Sequence, residues 1–419
     1  MERRRIAVIG GGIAGLTAAY VLRHACEVTL YEADNRLGGH SHTHDIASGH
    51  EETVRVDSGF IVHNARTYPW LLKLFDELGV RTQDAEMSMS VWCEGCGLQY
   101  AGARGPSGLF AQPRNMLRGR YLRMLAEVPV FHRAARALLA SERDTGLTLG
   151  EFVERGGFSA YFVNHFVTPL VSAVWSCAAR TALQYPAAYL FRFLDHHGLL
   201  SVSGSPRWKT VSGGSIEYVR RMAEHLGAVR TSTPVRTVRR SADRAHVVTE
   251  DGTTGEFDAV VLAVHADRAL RILADPSEAE RQVLGAFGYS RNPTTLHTDS
   301  RVLPTARARA SWNYLMPSCE ATAGEVQVNY YMNRLHRLET PEEYVVSLNA
   351  GSRIDERRVL ARMVYEHPVY TPESVAAQRR LPELNTAVTV YAGAYHGWGF
   401  HEDGCRSGVQ AAAALGVSW

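Results

Sequence analysis

Three histidines alternate early in this chain of 419 residues: His40, His42 and His44. On an extended segment alternate side chains lie on one face, so the three imidazoles would be neighbours. Three imidazoles can bind a metal ion, but no acidic or cysteine ligand accompanies them here. Two other interpretations are open: one or two of the histidines line a cofactor or substrate pocket, or all three lie on a solvated strand edge.

A glycine-rich turn near the N-terminus predicts nucleotide binding. The turn, residues 10–15, follows the apolar run Ile6–Ile9 and precedes a small-residue helical stretch, residues 16–22. A second strand is predicted over residues 26–31, and Glu32 ends it. Gly10 permits the tight turn, Gly12 the approach of a pyrophosphate, and Gly15 close packing of the helix on the sheet. The helix N-terminus favours phosphate, and Glu32 can accept hydrogen bonds from ribose hydroxyls.

The residues after Glu32 narrow the choice of dinucleotide. A glycine doublet, Gly38-Gly39, follows the acid and suits a loop that passes close over a long cofactor. This doublet favours FAD over a nicotinamide dinucleotide.

Length, charge and cysteine content limit the class of protein. The length suggests two domains, and a formal net charge of +2 gives no reason to expect a nucleic-acid partner. The start of the chain does not read as a signal peptide, and no apolar run is long enough to span a membrane. Six scattered cysteines do not form a disulfide framework, so we expect a cytoplasmic protein.

Several later segments are predicted to be regular. Helices are predicted from Thr67, as its cap, to Leu78, and over residues 114–140, 149–155, 159–173 and 267–286. Strands are predicted over residues 54–62, 229–238, 245–249, 257–264, 326–332, 344–349 and 388–394. A final helix is predicted to open at Glu402-Asp403-Gly404, with its positive N-terminal end directed into the site.

The pair Cys93 and Cys96 is predicted to lie at the tip of a hairpin. Without a second pair of ligands it is a poor zinc site, and without a following helix it is a poor thioredoxin-like motif. We therefore interpret it as structural and predict no metal site.

The segment 109–125 interleaves arginines with large apolar residues. Such a segment can lie on an anionic membrane surface, which would make the protein peripheral to the inner membrane face. The preferred alternative is a surface helix that packs its apolar side on its own domain.

Taken together, the glycine turn, Glu32, Gly38-Gly39, the 258–264 strand and the C-terminal motif from Gly393 to Gly404 resemble the superfamily of FAD-dependent amine oxidases and phytoene desaturases. Further motifs at 37–43, 57–62, 208–214, 296–299 and 312–314 are similar to a bacterial subgroup of predicted FAD/NAD-binding oxidoreductases, often associated with cyclopropane-fatty-acid-synthase-like enzymes. The resemblance implies an α/β fold with a Rossmann-type FAD-binding domain and an interleaved α+β substrate domain, the two-domain architecture of amine oxidases. We assign residues 1–64, 203–266 and 385–419 to the FAD-binding domain, and 65–202 and 267–384 to the substrate-binding domain.

The resemblance also implies which residues contact a dissociable, non-covalent FAD. On the AMP and pyrophosphate side these are Gly10, Gly12, Ile13, Ala14, Gly15, Glu32, Ala33, Arg36, Gly38, Gly39 and Val235. Towards the ribityl chain and isoalloxazine they are His40, Asp57, Ser58, Gly59, Gly393, His401, Glu402, Asp403 and Gly404.

The chain departs from amine oxidases at several positions. Ala394 stands where many of them carry an acid, and Lys209 is only a guess for the lysine that holds a water over the flavin. Tyr395 and Trp398 could offer the aromatic pair that channels amines, and Cys405 does not match the cysteine that attaches flavin covalently in some relatives.

The resemblance implies oxidation of a C–H bond in a small, hydrophobic, lipid-like substrate, by dehydrogenation or desaturation. A base would take the adjacent proton, and the candidates are His396, His63 and His42, with Tyr395 also near the site; His396 is preferred because its loop is expected to cross the flavin. An amine oxidase that releases hydrogen peroxide, a redox-neutral isomerase of unsaturated fatty acids and a non-catalytic flavoprotein are the alternatives. The sequence leaves the oligomeric state open.

Overall fold

A computed structural model describes residues 3–47, 53–141, 146–201, 204–320 and 326–419. Twenty strands are present in these ranges: β1 Arg4–Ile9, β2 Cys26–Tyr31, β3 Thr43–Ala47, β4 Thr53–Asp57, β5 His63–Asn64, β6 Thr82–Asp84, β7 Met89–Cys93, β8 Leu98–Gly102, β9 Trp208–Val211, β10 Ala228–Arg230, β11 Val235–Arg240, β12 Ala245–Thr249, β13 Thr254–Phe257, β14 Ala259–Leu262, β15 Gly288–His297, β16 Trp312–Met316, β17 Gln327–Tyr331, β18 Val345–Leu348, β19 Val359–Val369 and β20 Thr389–Tyr391.

Fifteen α-helices are described in the same ranges: α1 Ile13–Leu22, α2 Pro69–Glu77, α3 Gly105–Leu109, α4 Gly119–Ala140, α5 Leu149–Arg155, α6 Ala160–Phe162, α7 Thr168–Trp175, α8 Ala179–Ala182, α9 Ala187–His196, α10 Ile216–Glu224, α11 Ala266–Ile272, α12 Glu278–Leu284, α13 Met332–Leu335, α14 Pro372–Gln378 and α15 His401–Ala414. A π-helix, Val163–Val167, joins α6 to α7. Short 3-10 helices are Pro113–Leu117, Ser300–Val302, Gly351–Arg353, Glu356–Arg358, Leu381–Leu384 and Ala394–His396.

A five-stranded parallel sheet in the order β10-β2-β1-β14-β20 forms the first layer. Its central strand β1 is apolar throughout its inner part because both faces of the sheet are covered. Ile6 and Val8 pack into one core on the side of α1 and α15, whereas Ala7 and Ile9 pack into a second core under β11–β13, α11 and α12. The predicted α/β class is thus confirmed.

The second large layer is a seven-stranded sheet in the order β19-β15-β18-β17-β16-β7-β8. Its pairs are antiparallel except for β16 and β7, which run parallel. Its strands come from segments assigned above to the substrate domain, and the strands of the parallel sheet come from segments assigned to the cofactor domain. The assigned boundary between residues 202 and 203 lies outside the described residues.

Four predicted helices differ in detail from those observed, and one of them, residues 159–173, consists of α6, the π-helix and α7 in succession. The helix predicted from Thr67 begins at Pro69, because the Thr67 amide and hydroxyl are both hydrogen-bonded to the Asn64 side chain. The 114–140 helix is a 3-10 turn followed by α4, and the 267–286 helix is split into α11 and α12 around Pro276, which cannot donate a backbone hydrogen bond.

Candidate functional site

The glycine turn between β1 and α1 has a shape that only glycine allows. Gly10 has a φ of +106°, and a Cβ on it would lie 2.4 Å from the carbonyl oxygen of Ala263. A Cβ on Gly15 would lie 1.8 Å from the carbonyl oxygen of Gly10. By contrast, a Cβ on Gly12 would meet nothing within 4 Å, and no side chain caps α1 at that residue. The space in front of Gly12, at the N-terminus of α1, is therefore open, and the first amides of the helix, those of Ile13 and Ala14, have no partner within the helix.

The glycine doublet lies directly against this turn. The Gly38 amide donates to the Gly11 carbonyl at 2.8 Å, and Gly38 and Gly12 form a parallel bridge. A Cβ on Gly39, whose φ is +57°, would lie 3.2 Å from the Gly12 Cα. Arg36 holds the loop by donating to the Gly39 carbonyl at 2.8 Å. Two glycine segments and one arginine thus form a cradle of the kind that a pyrophosphate requires.

Glu32 lies beside the same turn. Its carboxylate accepts hydrogen bonds from the Gly11 amide at 2.6 Å and from the Asp34 amide at 2.7 Å, while Ala33 between them is exposed. The Glu32 carbonyl accepts from Thr233, which places the start of β11 at Val235 close to this acid. The turn, cradle and acid fit the pyrophosphate, ribose and adenine of FAD.

A buried polar network extends from the doublet towards β19. His42 Nδ1 lies 3.1 Å from the Tyr365 hydroxyl, which lies 2.7 Å from the Ser58 hydroxyl. The Ser58 hydroxyl in turn lies 2.8 Å from His44 Nε2. Ser58 belongs to the predicted site, but Tyr365 comes from the other sheet. The chain His42–Tyr365–Ser58–His44 therefore links the segment after the glycine doublet to a strand of the seven-stranded sheet.

His40 lies at the same junction. Its ring is 5.0 Å from that of Tyr365 and 5.3 Å from that of His367, and its Nε2 is buried without a hydrogen-bond partner. His367 Nδ1 lies 3.2 Å from the Asn292 amide nitrogen. We call His40, His42, Tyr365, His367 and the neighbouring His265 the junction cluster.

Burial keeps the histidines of the junction cluster uncharged near neutral pH. Desolvation, followed by repulsion from Arg36, lowers the pKa of His40 to about 4 and that of His42 to about 3. The pKa values of His265 and His367 are each lowered to about 3 by burial and by the neighbouring His40. These rings can accept protons but carry no positive charge at pH 7.

No sequence motif indicates Tyr365, His367, Asn292 or His265, because they are more than 200 residues from the glycine turn. The spacing of Tyr365 and His367 is a weak signal, since alternate residues of a strand share a face. His40, His42 and His44 do not converge as ligands of one metal among the described residues: His42 and His44 are paired, with ring centroids 4.1 Å apart, and His40 turns towards His367.

Asp57 and Gly59 flank Ser58 and fix the backbone segments that carry the polar network. The buried Asp57 carboxylate accepts hydrogen bonds from the Ser215 amide at 2.9 Å, the Ser215 hydroxyl at 2.8 Å and the Thr43 hydroxyl at 2.5 Å. A Cβ on Gly59 would lie 2.1 Å from the His40 carbonyl oxygen. Asp57 thus ties β4 to the N-terminus of α10, and Gly59 permits the close approach of two loops.

The residues predicted at the start of α15 are placed as follows. His401 stacks on Phe60 with ring centroids 3.8 Å apart, and its Nε2 lies 2.9 Å from the Ser41 hydroxyl. Burial lowers the pKa of His401 well below its usual value. Glu402 does not point to the glycine turn: it accepts from the Trp70 and Leu71 amides, both at 3.0 Å, at the N-terminus of α2.

Asp403 and the nearby glycines are also engaged within the protein. The Asp403 carboxylate accepts from the Phe400 amide at 3.1 Å and from Arg406 at 2.7 Å. A Cβ on Gly404 would lie 2.7 Å from Ile13 Cγ2, so this glycine lets α15 pack against α1. The Gly393 amide donates to the Ser407 hydroxyl at 2.9 Å. Any contact of Glu402, Asp403 or Gly404 with a cofactor would therefore be made by the backbone.

The candidate bases lie in different surroundings. His63 is fully buried beside Phe60, Tyr68 and Phe75, neither ring nitrogen has a hydrogen-bond partner, and burial lowers its pKa to about 4. His396 ends the 3-10 turn after β20, and burial followed by Arg406 lowers its pKa to about 4. Tyr395 is part of the second core against Phe287.

An aromatic cleft of about 110 Å3 lies beside the N-terminus of α15. It is lined by aromatic and imidazole rings together with Glu402, Asp403 and Arg406; the rings are those of Tyr68, Trp70, His196, His197, Trp398 and Phe400. Phe400 is stacked on Phe193 with ring centroids 4.8 Å apart, and Tyr395, predicted as a partner of Trp398, packs against Phe287 instead of lining this cleft. We call this pocket the aromatic cleft.

A model of the family described as flavin containing amine oxidoreductase matches residues 13–298. Among curated proteins, the carotenoid phi-ring synthase of Streptomyces griseus is 31% identical over 290 residues, which are 65% of this chain and 54% of that protein. The flavin-containing amine oxidase A of Canis lupus familiaris is 26% identical over 281 residues, 62% of this chain and 49% of that protein. The chain thus spans about half the length of the curated relatives it matches.

Solved structures share the fold over nearly the whole chain. A redesigned triple mutant of putrescine oxidase superposes with a TM-score of 0.70 at 18% identity, covering 99% of this chain and 98% of the other. The CLA-producing fatty acid isomerase from P. acnes gives a TM-score of 0.70 at 18% identity, with 97% of each chain covered. These structures confirm the predicted two-domain, amine-oxidase-like architecture, and the family match confirms the predicted flavin cofactor. Within the described residues, no helix is long and apolar enough to cross a membrane.

Proposed function

We propose that this chain, which belongs to the family of flavin-containing amine oxidoreductases, is a FAD-dependent oxidoreductase that dehydrogenates a hydrophobic, lipid-like substrate. The observation that favours such a substrate is the aromatic cleft. Its two carboxylates, Glu402 and Asp403, are already hydrogen-bonded to backbone amides and to Arg406, and burial raises the pKa of both. Neither carboxylate is therefore left unpaired for a cationic amine, and the aromatic rings that line the cleft can pack against an apolar chain.

In this proposal the glycine turn and Arg36 hold the pyrophosphate of FAD, and Glu32 holds its adenine ribose. When bound, FAD would accept a hydride from a substrate C–H bond at flavin N5. The protein supplies the position of the substrate, a pocket without water and a proton acceptor.

We assign the proton acceptor to His42 rather than to His396. His42 is neutral, and its Nδ1 lies at one end of the chain His42–Tyr365–Ser58–His44, along which a proton can pass to the partly exposed His44. His396 has a buried Nε2 without any partner and no comparable route.

Replacing His42 by Gln tests this assignment. A general base contributes about 10²–10⁴-fold to rate, so His42→Gln should bind FAD normally but slow the bleaching of flavin absorbance by substrate about 100-fold. The matched variant His396→Gln should bleach at the rate of the unaltered protein. If His396→Gln is slow and His42→Gln is not, the assignment is reversed.

Substrate class is tested by mixing the protein anaerobically with fatty acyl, polyene and amine panels. Bleaching by the acyl or polyene panel supports the proposal. Because solved putrescine oxidase shares the fold, an amine oxidase is the second candidate; bleaching by amines alone, with peroxide release in air, would establish it. Conversion of an unsaturated fatty acid without any electron acceptor would instead indicate an isomerase.

We propose that FAD is not covalently attached. Cys405 lies inside the packed α1–α15 interface, where the Thr17 hydroxyl donates to its Sγ at 3.6 Å. Acid precipitation should leave the flavin in the supernatant, and flavin that stays with the pellet contradicts this.

The segment 109–125 is proposed as a peripheral membrane contact. Met116, Leu117 and Leu122 are exposed, Leu117 to 90%, and arginines flank them. Flotation with anionic but not neutral vesicles is expected, and it should be abolished in Leu117→Ser. A protein that never floats with anionic vesicles would rule out this contact.

A further inference from the structure

The hairpin pair Cys93 and Cys96 has two more potential metal ligands beside it in the fold. The Sγ atoms of Cys93, Cys96 and Cys319 and a ring nitrogen of His165 all lie within 4.8 Å of one another. Cys93 Sγ is 3.7 Å from Cys319 Sγ, and Cys96 Sγ is 3.7 Å from His165 Nε2. Sequence spacing could not show this group, because its members come from three distant segments.

The two separations of 3.7 Å match the edges of a tetrahedron around one zinc ion, and the other pairs of ligand atoms lie within 4.8 Å. With Zn–S of about 2.3 Å and Zn–N of about 2.0–2.1 Å, ligand atoms lie about 3.6–3.8 Å apart. A cluster of several iron ions would spread the same ligands further. Three cysteines and one histidine form a common ligand set for structural zinc.

The local fold brings the ligands together without an obvious distortion. Cys93 ends β7, and Cys96 lies in the turn before β8, where Gly97 has a φ of +66°. The turn is pressed against the segment after β16: a Cβ on Gly95 would lie 3.0 Å from the Cys319 amide nitrogen. His165 is on the π-helix, an irregularity found often at functional sites.

The surroundings orient two of the four ligands. His165 Nδ1 lies 3.0 Å from the Tyr161 carbonyl oxygen. When Nδ1 carries the proton, it donates to that oxygen, and Nε2 keeps a free electron pair that can bind a metal ion. The Asn164 side chain donates to the Cys319 carbonyl at 3.0 Å, fixing the third segment.

We propose that Cys93, Cys96, His165 and Cys319 bind one structural zinc ion. All four positions are filled by protein ligands, which leaves none for substrate, so the ion has no catalytic role. On binding, the three thiols release their protons to solvent, and no oxidant or reductant is involved. The ion ties the β7–β8 hairpin to the π-helix and to the segment after β16.

The proposed zinc site also contacts the arginine-containing segment 109–125. Arg118 donates to the Cys96 carbonyl at 3.2 Å, and Arg114 donates to the Gly97 carbonyl at 2.9 Å. Loss of zinc should therefore loosen the 3-10 turn Pro113–Leu117 as well as the hairpin.

The test measures metal in the full-length, FAD-loaded protein purified without chelator. We expect one zinc ion per chain by mass spectrometry of metals, and in Cys96→Ser and His165→Ala less than a tenth of that content. The control Cys26→Ser, at another buried cysteine in β2, should retain the metal. His165→Cys should also retain it, because a fourth thiolate replaces the imidazole.

Cobalt gives a readout that does not depend on activity. Growth with Co2+ should produce ligand-field absorption at wavelengths longer than those of oxidised flavin, absent in Cys319→Ser. The proposal is overturned if the unaltered protein contains no zinc and acquires none on titration, if Cys319→Ser retains the metal, or if Cys93 and Cys319 are found joined by a disulfide in the native protein.

Discussion

Replacing Gly12 by Ala separates cofactor binding from folding. Gly12 has φ −75° and ψ −179°, which any residue adopts, and a Cβ there meets no protein atom within 4 Å. At the N-cap Ala is less favourable than Gly, whereas the less flexible unfolded chain favours Ala by about 0.4–1 kcal/mol. These effects offset, so the free energy of unfolding of the cofactor-free protein should change by less than about 1 kcal/mol.

Cofactor binding should respond far more strongly, because the added methyl group occupies the space in front of α1. We expect Kd for FAD to rise about 100-fold, or about 2.7 kcal/mol. At a FAD concentration 100 times the original Kd, the unaltered protein gains about 2.7 kcal/mol of stability and the variant only about 0.4 kcal/mol.

Calorimetric titration of the cofactor-free protein with FAD, and thermal melting with and without FAD, measure both effects. Gly119→Ala is the matched control, since Gly119 also begins a helix and faces open space; its FAD affinity should not change. Gly15→Ala should fail to fold stably, because its Cβ overlaps the Gly10 backbone. Unchanged FAD affinity in Gly12→Ala would refute the placement of the pyrophosphate at this turn.

Three more outcomes follow from buried polar groups. Burial would raise the pKa of Glu280, but hydrogen bonds from Arg240 and Tyr391 lower it to about 2. The ionised Glu280 therefore stabilises the folded protein by on the order of 3 kcal/mol above pH 4.5, and this stabilisation is lost as the pH falls towards 2. Acid unfolding of Glu280→Gln should lack this part of the pH dependence. Asp57→Asn should lower the free energy of unfolding in urea by about 2–3 kcal/mol, because Asp57 receives three hydrogen bonds from Ser215 and Thr43. A change below about 0.5 kcal/mol, which is typical of surface substitutions, would contradict this. His63→Leu should leave the free energy of unfolding unchanged or raise it by about 1 kcal/mol, since both ring nitrogens are buried without partners. The variant should also leave the rate of flavin reduction unchanged. A slower reduction would make His63 the base.

The cofactor side could be predicted from sequence because its determinants are local. The turn at Gly10–Gly15 and the acid at Glu32 are set by backbone sterics within one strand–turn–helix unit, and the structure brings them together as a cradle. The substrate side could not. Tyr365 and His367 lie on β19, far from His40 in the sequence, and contacts between such distant segments leave no local pattern. For the same reason Cys93-x-x-Cys96 looked incomplete, and Glu402 looked like a cofactor ligand although α2 holds its carboxylate.

Cofactor binding should raise the low pKa values of His40 and His42. Arg36 lowers the pKa of both His40 and His42, second only to burial. Arg36 lies on the Gly39 carbonyl, at the cradle in which we place the pyrophosphate. The two negative charges of a pyrophosphate there would neutralise this repulsion and raise both pKa values. A histidine with a pKa of about 3 is a weak base, so FAD binding would itself strengthen the proposed proton acceptor. The pKa that governs His42 as a base is therefore that of the cofactor-loaded protein.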